Sequence, residues 1–262
     1  MEEFVILDDI GLTLKDKFGI NTDKKFDSFT QNSLKLIIGK LKKDGISVKI
    51  INKGKIINWF KNINESRQIT INNKLIRVDK KEFIVSIDSS MKGDINLEVC
   101  RLITKSLRKG IISNRPNSPK LRIQFKNMLK SKRYLLADEV SFSGETLLSV
   151  RKKIVDLSGA EIEGIIIGVI NSEAYDRLIK KFSYVNYLYK LNLTSGDYFQ
   201  CARNIIGIDG KALKNGKIVP LWSRQNKILW RYNSDLKKIW ETSNKWLKSK
   251  EIIIVWESGL SP

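Results

Sequence analysis

Two adjacent acids, Asp138 and Glu139, follow the apolar run Tyr134-Leu135-Leu136-Ala137 and precede the small-residue stretch Val140-Ser141-Phe142-Ser143-Gly144-Glu145-Thr146. The run is of strand length. Beyond the loop, Leu147, Leu148, Val150, Ile154, Val155 and Leu157 recur at helical spacing. A Ser-Gly turn between a strand and a helix directs backbone N–H groups at one spot. With the positive end of the helix they form an anion site suited to a phosphate. Ser143 and Thr146 add hydroxyl donors. Acids at the strand's carboxyl end stand where open α/β sheets take ligands, and there they can accept sugar hydroxyls or hold water on a Mg2+ ion. A P-loop is excluded, because no G-x-x-x-x-G-K-[ST] string occurs.

The ordered string of apolar strand, two acids, small residues and Ser-Gly-Glu-Thr resembles the phosphoribosyl pyrophosphate (PRPP) signature of type I phosphoribosyltransferases. The variant Asp-Glu-Val-Ser-x-Ser-Gly-Glu-Thr is most similar to the hypoxanthine/xanthine/guanine-type branch. The resemblance implies that Asp138 and Glu139 are the catalytic acids, meeting the ribose hydroxyls and Mg2+. It implies that Ser141, Ser143, Gly144, Glu145 (through its backbone) and Thr146 line the phosphate loop. In the family the loop after the first core strand binds diphosphate, and Met91-Lys92-Gly93 is similar to the Leu-Lys-Gly string of purine-type members. A glycine there permits unusual backbone angles, and a lysine offsets the charge of a leaving diphosphate. Asp197-Tyr198-Phe199 falls where purine-type relatives carry a similar string near the base; an aromatic at that place either stacks on a nucleobase or belongs to a core. Two positions depart from the pattern. Phe142 stands where purine-type relatives often have an aspartate that takes the purine proton, and Glu145 stands where many members have glycine.

These residues need a sheet to hold them. Phe83–Ile87 reads as an interior parallel strand, leading into Asp88-Ser89-Ser90-Met91-Lys92-Gly93-Asp94. A helix is expected next, with Val99, Leu102, Ile103 and Leu107 on one side. After the main motif, residues 161–170 predict a strand, 172–182 a helix and 184–191 a strand, an alternation that predicts a doubly wound, mainly parallel α/β sheet. Upstream, residues 4–7 and 47–51 read as strands around a helix at 29–43, with further strand-like segments in 69–78. Asp8-Asp9-Ile10-Gly11-Leu12-Thr13 fails the Asp-x-Asp-x-Thr start of a haloacid-dehalogenase domain at Ile10. Downstream, residues 206–210 and 216–221 suggest a hairpin. Ser234 is placed to cap a helix reaching Lys248, with Leu236, Ile239, Trp240, Trp246 and Leu247 on one face. The expected organisation is an N-terminal α/β extension (1–80), a phosphoribosyltransferase-like core (81–203) and a basic, tryptophan-rich C-terminal extension (204–262).

The chain of 262 residues carries a net charge of +20, and 42% of it is hydrophobic, enough for a substantial core. Residues 101–133 hold eleven Lys/Arg and no acid, and residues 203–250 hold twelve against three. Concentrated basic charge suits PRPP, a nucleotide or a nucleic acid. The resemblance implies that the stretch 110–133 is a mobile loop closing over PRPP; a nucleic-acid-binding loop or a solvated tip are the alternatives. Trp222, Trp230 and Trp256, interleaved with Arg224, Lys227 and Arg231, would suit single-stranded nucleic acid. With two cysteines and no histidine, neither a disulfide scaffold nor the usual zinc set is expected. No 18-residue apolar run occurs, so no membrane partner and a cytoplasmic setting are expected. The expected function is transfer of phosphoribosyl from PRPP to a nucleobase-like acceptor with Mg2+. The alternative is a non-catalytic protein of the same fold binding a phosphoribosyl compound or nucleic acid, and a homodimer is within the same expectation.

Overall fold

The computed structural model describes residues 2–71, 74–79, 82–88, 90–103, 109–115, 118–126, 128, 130–194, 197–207, 210–212, 218–220 and 227–250. Strand β1 (Glu3–Asp8) runs into helix α1 (Ile10–Phe18). Helix α2 (Lys24–Lys43) is capped by Asp23, whose side chain accepts from the Phe26 N–H at 2.7 Å, and it begins five residues before the expected start at 29. Strand β2 (Ser47–Asn52) leads to α3 (Lys53–Ser66), β3 (Gln68–Ile71) and β4 (Lys74–Arg77). Next come β5 (Glu82–Ser86), β6 (Ile95–Asn96), β7 (Val99–Ile103), β8 (Lys109–Asn114) and α4 (Leu121–Phe125). The expected alternation follows as β9 (Arg133–Ser141), α5 (Glu145–Ser158), β10 (Glu161–Asn171), α6 (Ser172–Leu178) and β11 (Tyr184–Leu191). The chain continues through β12 (Tyr198–Cys201), α7 (Ala202–Ile205), β13 (Gly210–Ala212), β14 (Ile218–Pro220), α8 (Lys227–Trp230) and α9 (Asn233–Ser249).

The chain divides into two units. One comprises residues 54–101 and 110–192; the other gathers 1–53, 102–109 and 193–262. The sequence-based boundaries at 80 and 203 therefore do not coincide with these divisions, and the two terminal segments share a unit.

In the unit of residues 54–101 and 110–192, five strands form a parallel sheet in the order β11-β10-β9-β5-β6. The mainly parallel α/β fold expected from the alternation is present. On β10, Ile165 and Ile167 share a buried cluster with Leu147, Val150 and Ile154 of α5. Gly168 points to the opposite face by strand alternation, and a Cβ there would strike Ile56 of α3. Helices thus cover both faces, as a buried parallel sheet requires.

The helix expected over 99–107 is strand instead. Val99–Ile103 forms β7 and pairs with β8 in a two-stranded sheet, while 104–108 lie outside the described residues. A short apolar run fits either period, and here a partner strand decides. Val99 and Ile112 then reach the same core as the α5 face.

The unit holding both termini has its own parallel sheet, β12-β1-β2, with Phe4 opposite Tyr198 and Val48. Helices α2 and α9 are antiparallel neighbours: Tyr232 donates to Asp44 at one end, and Trp246 Nε1 donates to Asp23 at 3.2 Å at the other. Trp246 stacks on Phe26 with 3.7 Å between centroids, and Trp240 is buried with its Nε1 on the Ile205 carbonyl at 2.8 Å. Both tryptophans are therefore core and helix-pair residues. Ser234 is not the cap: α9 begins a residue earlier, with Tyr232 at the capping position and no side-chain capping bond. Trp222, Arg224 and Trp256 lie outside the described residues.

Candidate functional site

The site is set by where the sheet order reverses. From β5 the chain passes outward to β6, and from β9 it passes the other way to β10, so the loops leaving these adjacent strands diverge. In an open parallel sheet this divergence opens a crevice at the strands' carboxyl ends. The Asp88–Gly93 segment leaves one strand there and Phe142–Gly144 leaves the other. The two loops thus leave adjacent strands of one unit on the same side of the strand ends.

The acids sit inside β9 rather than at its end, because the strand continues to Ser141. Strand β5 pairs only as far as Ser86 opposite Ala137, followed by Ile87 N–H to Ala137 C=O at 2.9 Å. Asp138 is the next residue of β9, just past the paired end of β5. Its carboxyl is raised to about 8, by burial first, then by the negative charges of Asp88 and Glu139. The Glu139 N–H, which donates to Asp138 Oδ1 at 2.9 Å, and the Arg115 guanidinium pull the other way. Consecutive strand residues present opposite faces, so Glu139, 3% exposed, falls on the other side of the sheet from Asp138. Asp138 is the acid of the pair on the crevice side.

In the loop between β9 and α5, Gly144 takes φ 73° and ψ −7°, a left-handed conformation that favours glycine, and α5 begins directly after it. The first intrahelical bond runs from Leu148 N–H to Gly144 C=O at 3.0 Å, so the preceding amides are directed out of the helix's amino end. Ser141 is buried, and Ser143, Glu145 and Thr146 are half-buried.

Met91, Lys92 and Gly93 differ in exposure and in backbone setting. Lys92 is exposed, whereas Met91 is fully buried and belongs to the core. Gly93 does not take a positive φ. Its glycine is required by close approach, since a Cβ would lie 2.5 Å from the Ile84 carbonyl oxygen. Neighbouring bonds fix this segment. Asp94 accepts from Ile84 N–H at 2.8 Å and from Arg67 Nη2 at 2.9 Å to each oxygen, and Asp88 accepts from the Ser90 amide at 2.8 Å.

Three arginines join the site that residue patterns had not singled out. Arg115 donates through Nη2 to the Ile87 carbonyl at 3.5 Å and pairs through Nε with Glu98 at 3.2 Å, which brings its charge near Asp138. Arg101 donates to Glu145 and to Thr146, each at 3.1 Å, and Arg177 lies 3.7 Å from the other Glu145 oxygen. The acid-free run 101–133 was the available signal for Arg101 and Arg115, without indicating which cations turn inward; Arg177, among acids on α6, had none.

Asp197, Tyr198 and Phe199 belong to the unit holding the termini. Asp197 accepts from the N–H groups of Glu3 and Thr194, both at 2.8 Å, and Tyr198 stacks on Phe4 at 6.2 Å between centroids. The sheet of β9 and β5 is in the other unit, so the fold does not assemble these three residues with the acids inside one unit.

Among the described residues no helix is long and apolar enough to cross a membrane. No protein-family model matches the chain, and no curated relative does. Among solved structures, a purine phosphoribosyltransferase of Pyrococcus horikoshii is similar at 16% identity and a TM-score of 0.31, covering 57% of this chain and 87% of its own. A protein of Aquifex aeolicus is similar at 16% identity and 0.31, covering 63% and 79%.

Proposed function

We propose that the protein transfers phosphoribosyl from PRPP to a nitrogenous base with release of diphosphate. One observation carries the reading. The string Asp138-Glu139-Val140-Ser141-Phe142-Ser143-Gly144-Glu145-Thr146 runs from a parallel strand into a helix at the point where the sheet order reverses, opposite the Met91-Lys92-Gly93 turn. On this reading the amides of the loop and the hydroxyls of Ser143 and Thr146 hold the 5′-phosphate. Asp138 accepts the ribose hydroxyls, and Lys92 offsets the charge of the diphosphate.

In the reaction the bond from ribose C1′ to the diphosphate oxygen breaks and a bond from C1′ to the acceptor nitrogen forms. The protein contributes positioning and fixed charge rather than covalent chemistry. Phe142 cannot take the acceptor's proton, so the acceptor fits best if its nitrogen is already nucleophilic and passes its proton to solvent. The residues present fit a Mg2+ ion bound jointly with the ligand. No group of three His, Cys, Asp or Glu among the described residues could cage one, but Asp138 lies in an excess of negative charge that a cation would offset. When bound, the ion would draw on Asp138 and on PRPP oxygens and neutralise the departing diphosphate.

Calorimetric titration of PRPP with Mg2+ into wild type and Asp138→Asn/Glu139→Gln tests this. Binding by wild type and loss in the variant is expected, with diphosphate release on adding the right base. Equal behaviour of the two proteins refutes it. The charge of +20 supports a second reading, in which the same fold grips nucleic acid without catalysis. That binding would weaken steeply with salt, whereas PRPP binding would follow Mg2+.

A further inference from the structure

Glu145 presents an apparent contradiction. A carboxylate in the first turn of α5 suits the helix dipole, yet it would repel a phosphate held on the same amides. The structure answers with two guanidinium groups. Arg101, from β7, donates through Nη1 to Glu145 Oε2 and through Nη2 to Thr146 Oγ1, both at 3.1 Å. Arg177, from α6, lies 3.7 Å from Glu145 Oε1 while also donating to Glu173 at 3.2 Å. Two cations therefore converge on one acid, and one of them touches a hydroxyl expected to hold the phosphate.

Resting on the phosphoribosyl reading above, we propose that Arg101 is a ligand of the 5′-phosphate, and that Glu145 occupies it in the free protein. Binding then exchanges one anion for another on the same guanidinium and leaves Glu145 to Arg177. Thr146 fits the exchange. A hydroxyl that accepts from Arg101 keeps its own proton to donate, so both groups can hold one anion. The exchange is also selective. A phosphomonoester brings nearly two charges and three acceptor oxygens, against one charge and two oxygens for the carboxylate it displaces. A singly charged anion gains little by the swap. Glu145 so placed is a built-in competitor that sets the threshold for what enters the loop.

The test is calorimetric titration of ribose 5-phosphate, at neutral pH and constant ionic strength, into wild type, Glu145→Gln, Arg101→Gln, Arg101→Lys and the Arg101→Gln/Glu145→Gln double variant. Removing the competitor should tighten binding about 3- to 10-fold, and removing the ligand should weaken it about tenfold or more. Arg101→Lys should fall between, since an ammonium keeps the charge without the planar fork. In the Arg101→Gln background, Glu145→Gln should tighten binding clearly less than it does in the presence of Arg101, because direct repulsion remains but the competition has lost its object; an equal gain in the two backgrounds overturns the proposal. Unchanged or weaker binding in Glu145→Gln, or wild-type affinity in Arg101→Gln, overturns the proposal. If the glutamine variant fails to fold, the lysine variant decides: weaker binding supports the proposal and wild-type affinity overturns it. Wild type that does not bind ribose 5-phosphate removes the phosphoribosyl reading and this inference together. Wild type that binds it as tightly as Arg101→Gln removes this inference alone.

Discussion

Asp138 should make the protein less stable in alkali, and its removal should abolish that loss. Burial, then Asp88 and Glu139, raise its carboxyl from the ordinary 3.8 to about 8. A raised acid binds its proton more tightly in the folded than in the unfolded chain. Its contribution is therefore fully present below the unfolded pKa near 4 and is lost as pH rises through about 8. At about 1.4 kcal/mol per pH unit, and with the curve flattening near 8, the loss between pH 6 and 9 comes to about 2–3 kcal/mol. Urea unfolding at those two pH values, on wild type and Asp138→Asn, measures it. The chain has no histidine, so this window is quiet in the usual respect and the difference between the proteins isolates one group. Wild type should lose about 2–3 kcal/mol more than the variant over the interval. Parallel losses in the two proteins would mean that Asp138 is not held protonated, and the electrostatic account of the crevice would fail. The same protonation carries over to ligand binding. A ligand that needs the carboxylate should release most of a proton near pH 7, seen as a buffer-dependent heat that Asp138→Asn lacks.

Other substitutions probe the frame around the site. Gly93→Ala drives a Cβ to 2.5 Å from the Ile84 carbonyl and should cost about 1–3 kcal/mol in chemical denaturation. Gly144→Ala places a side chain at φ 73° and 3.0 Å from Leu178, which should lower stability by about 1–2 kcal/mol and weaken PRPP binding in the same preparation. Trp240→Phe removes the donor to the Ile205 carbonyl in a buried setting, and thermal unfolding should report a loss of about 1–3 kcal/mol. Asp197 is held below the ordinary carboxylate range, chiefly by the Thr194 N–H and then by that of Glu3. Its stabilisation is present above the unfolded value and lost as pH falls below it. Melting between pH 3 and 6 should show wild type losing more than Asp197→Asn toward acid.

Much of the frame was legible in the sequence because it is local. Strand β9, its loop and α5 announce themselves by a change of apolar period from unbroken to helical across one Ser-Gly turn. Strands β5, β10 and β11 are apolar runs of strand length with clear punctuation. The alternation of these segments implies a parallel sheet, since parallel neighbours need a crossover between them. The Met91-Lys92-Gly93 turn was visible too, although the reason for its glycine was not. A positive φ and a close approach to Ile84 leave the same letter in the sequence.

What the sequence by itself determined was a strand–acid–loop–helix unit with the residue types of a phosphate site, and the period of the elements flanking it. Tertiary structure decided the rest, through contacts whose partners lie far apart in the chain. Val99–Ile103 became a strand only because Lys109–Asn114 lies beside it. Tyr198 joined Phe4 across nearly two hundred residues, and Trp246 closed on Phe26. The sheet order brought the loops after β5 and β9 side by side, and burial with Asp88 from the neighbouring strand's loop raised the Asp138 carboxyl further than its sequence neighbour Glu139 does. Arg101 met Glu145 and Thr146 in the same way. Periodicity records which face of an element is apolar, but it carries no record of which distant charge will stand against it.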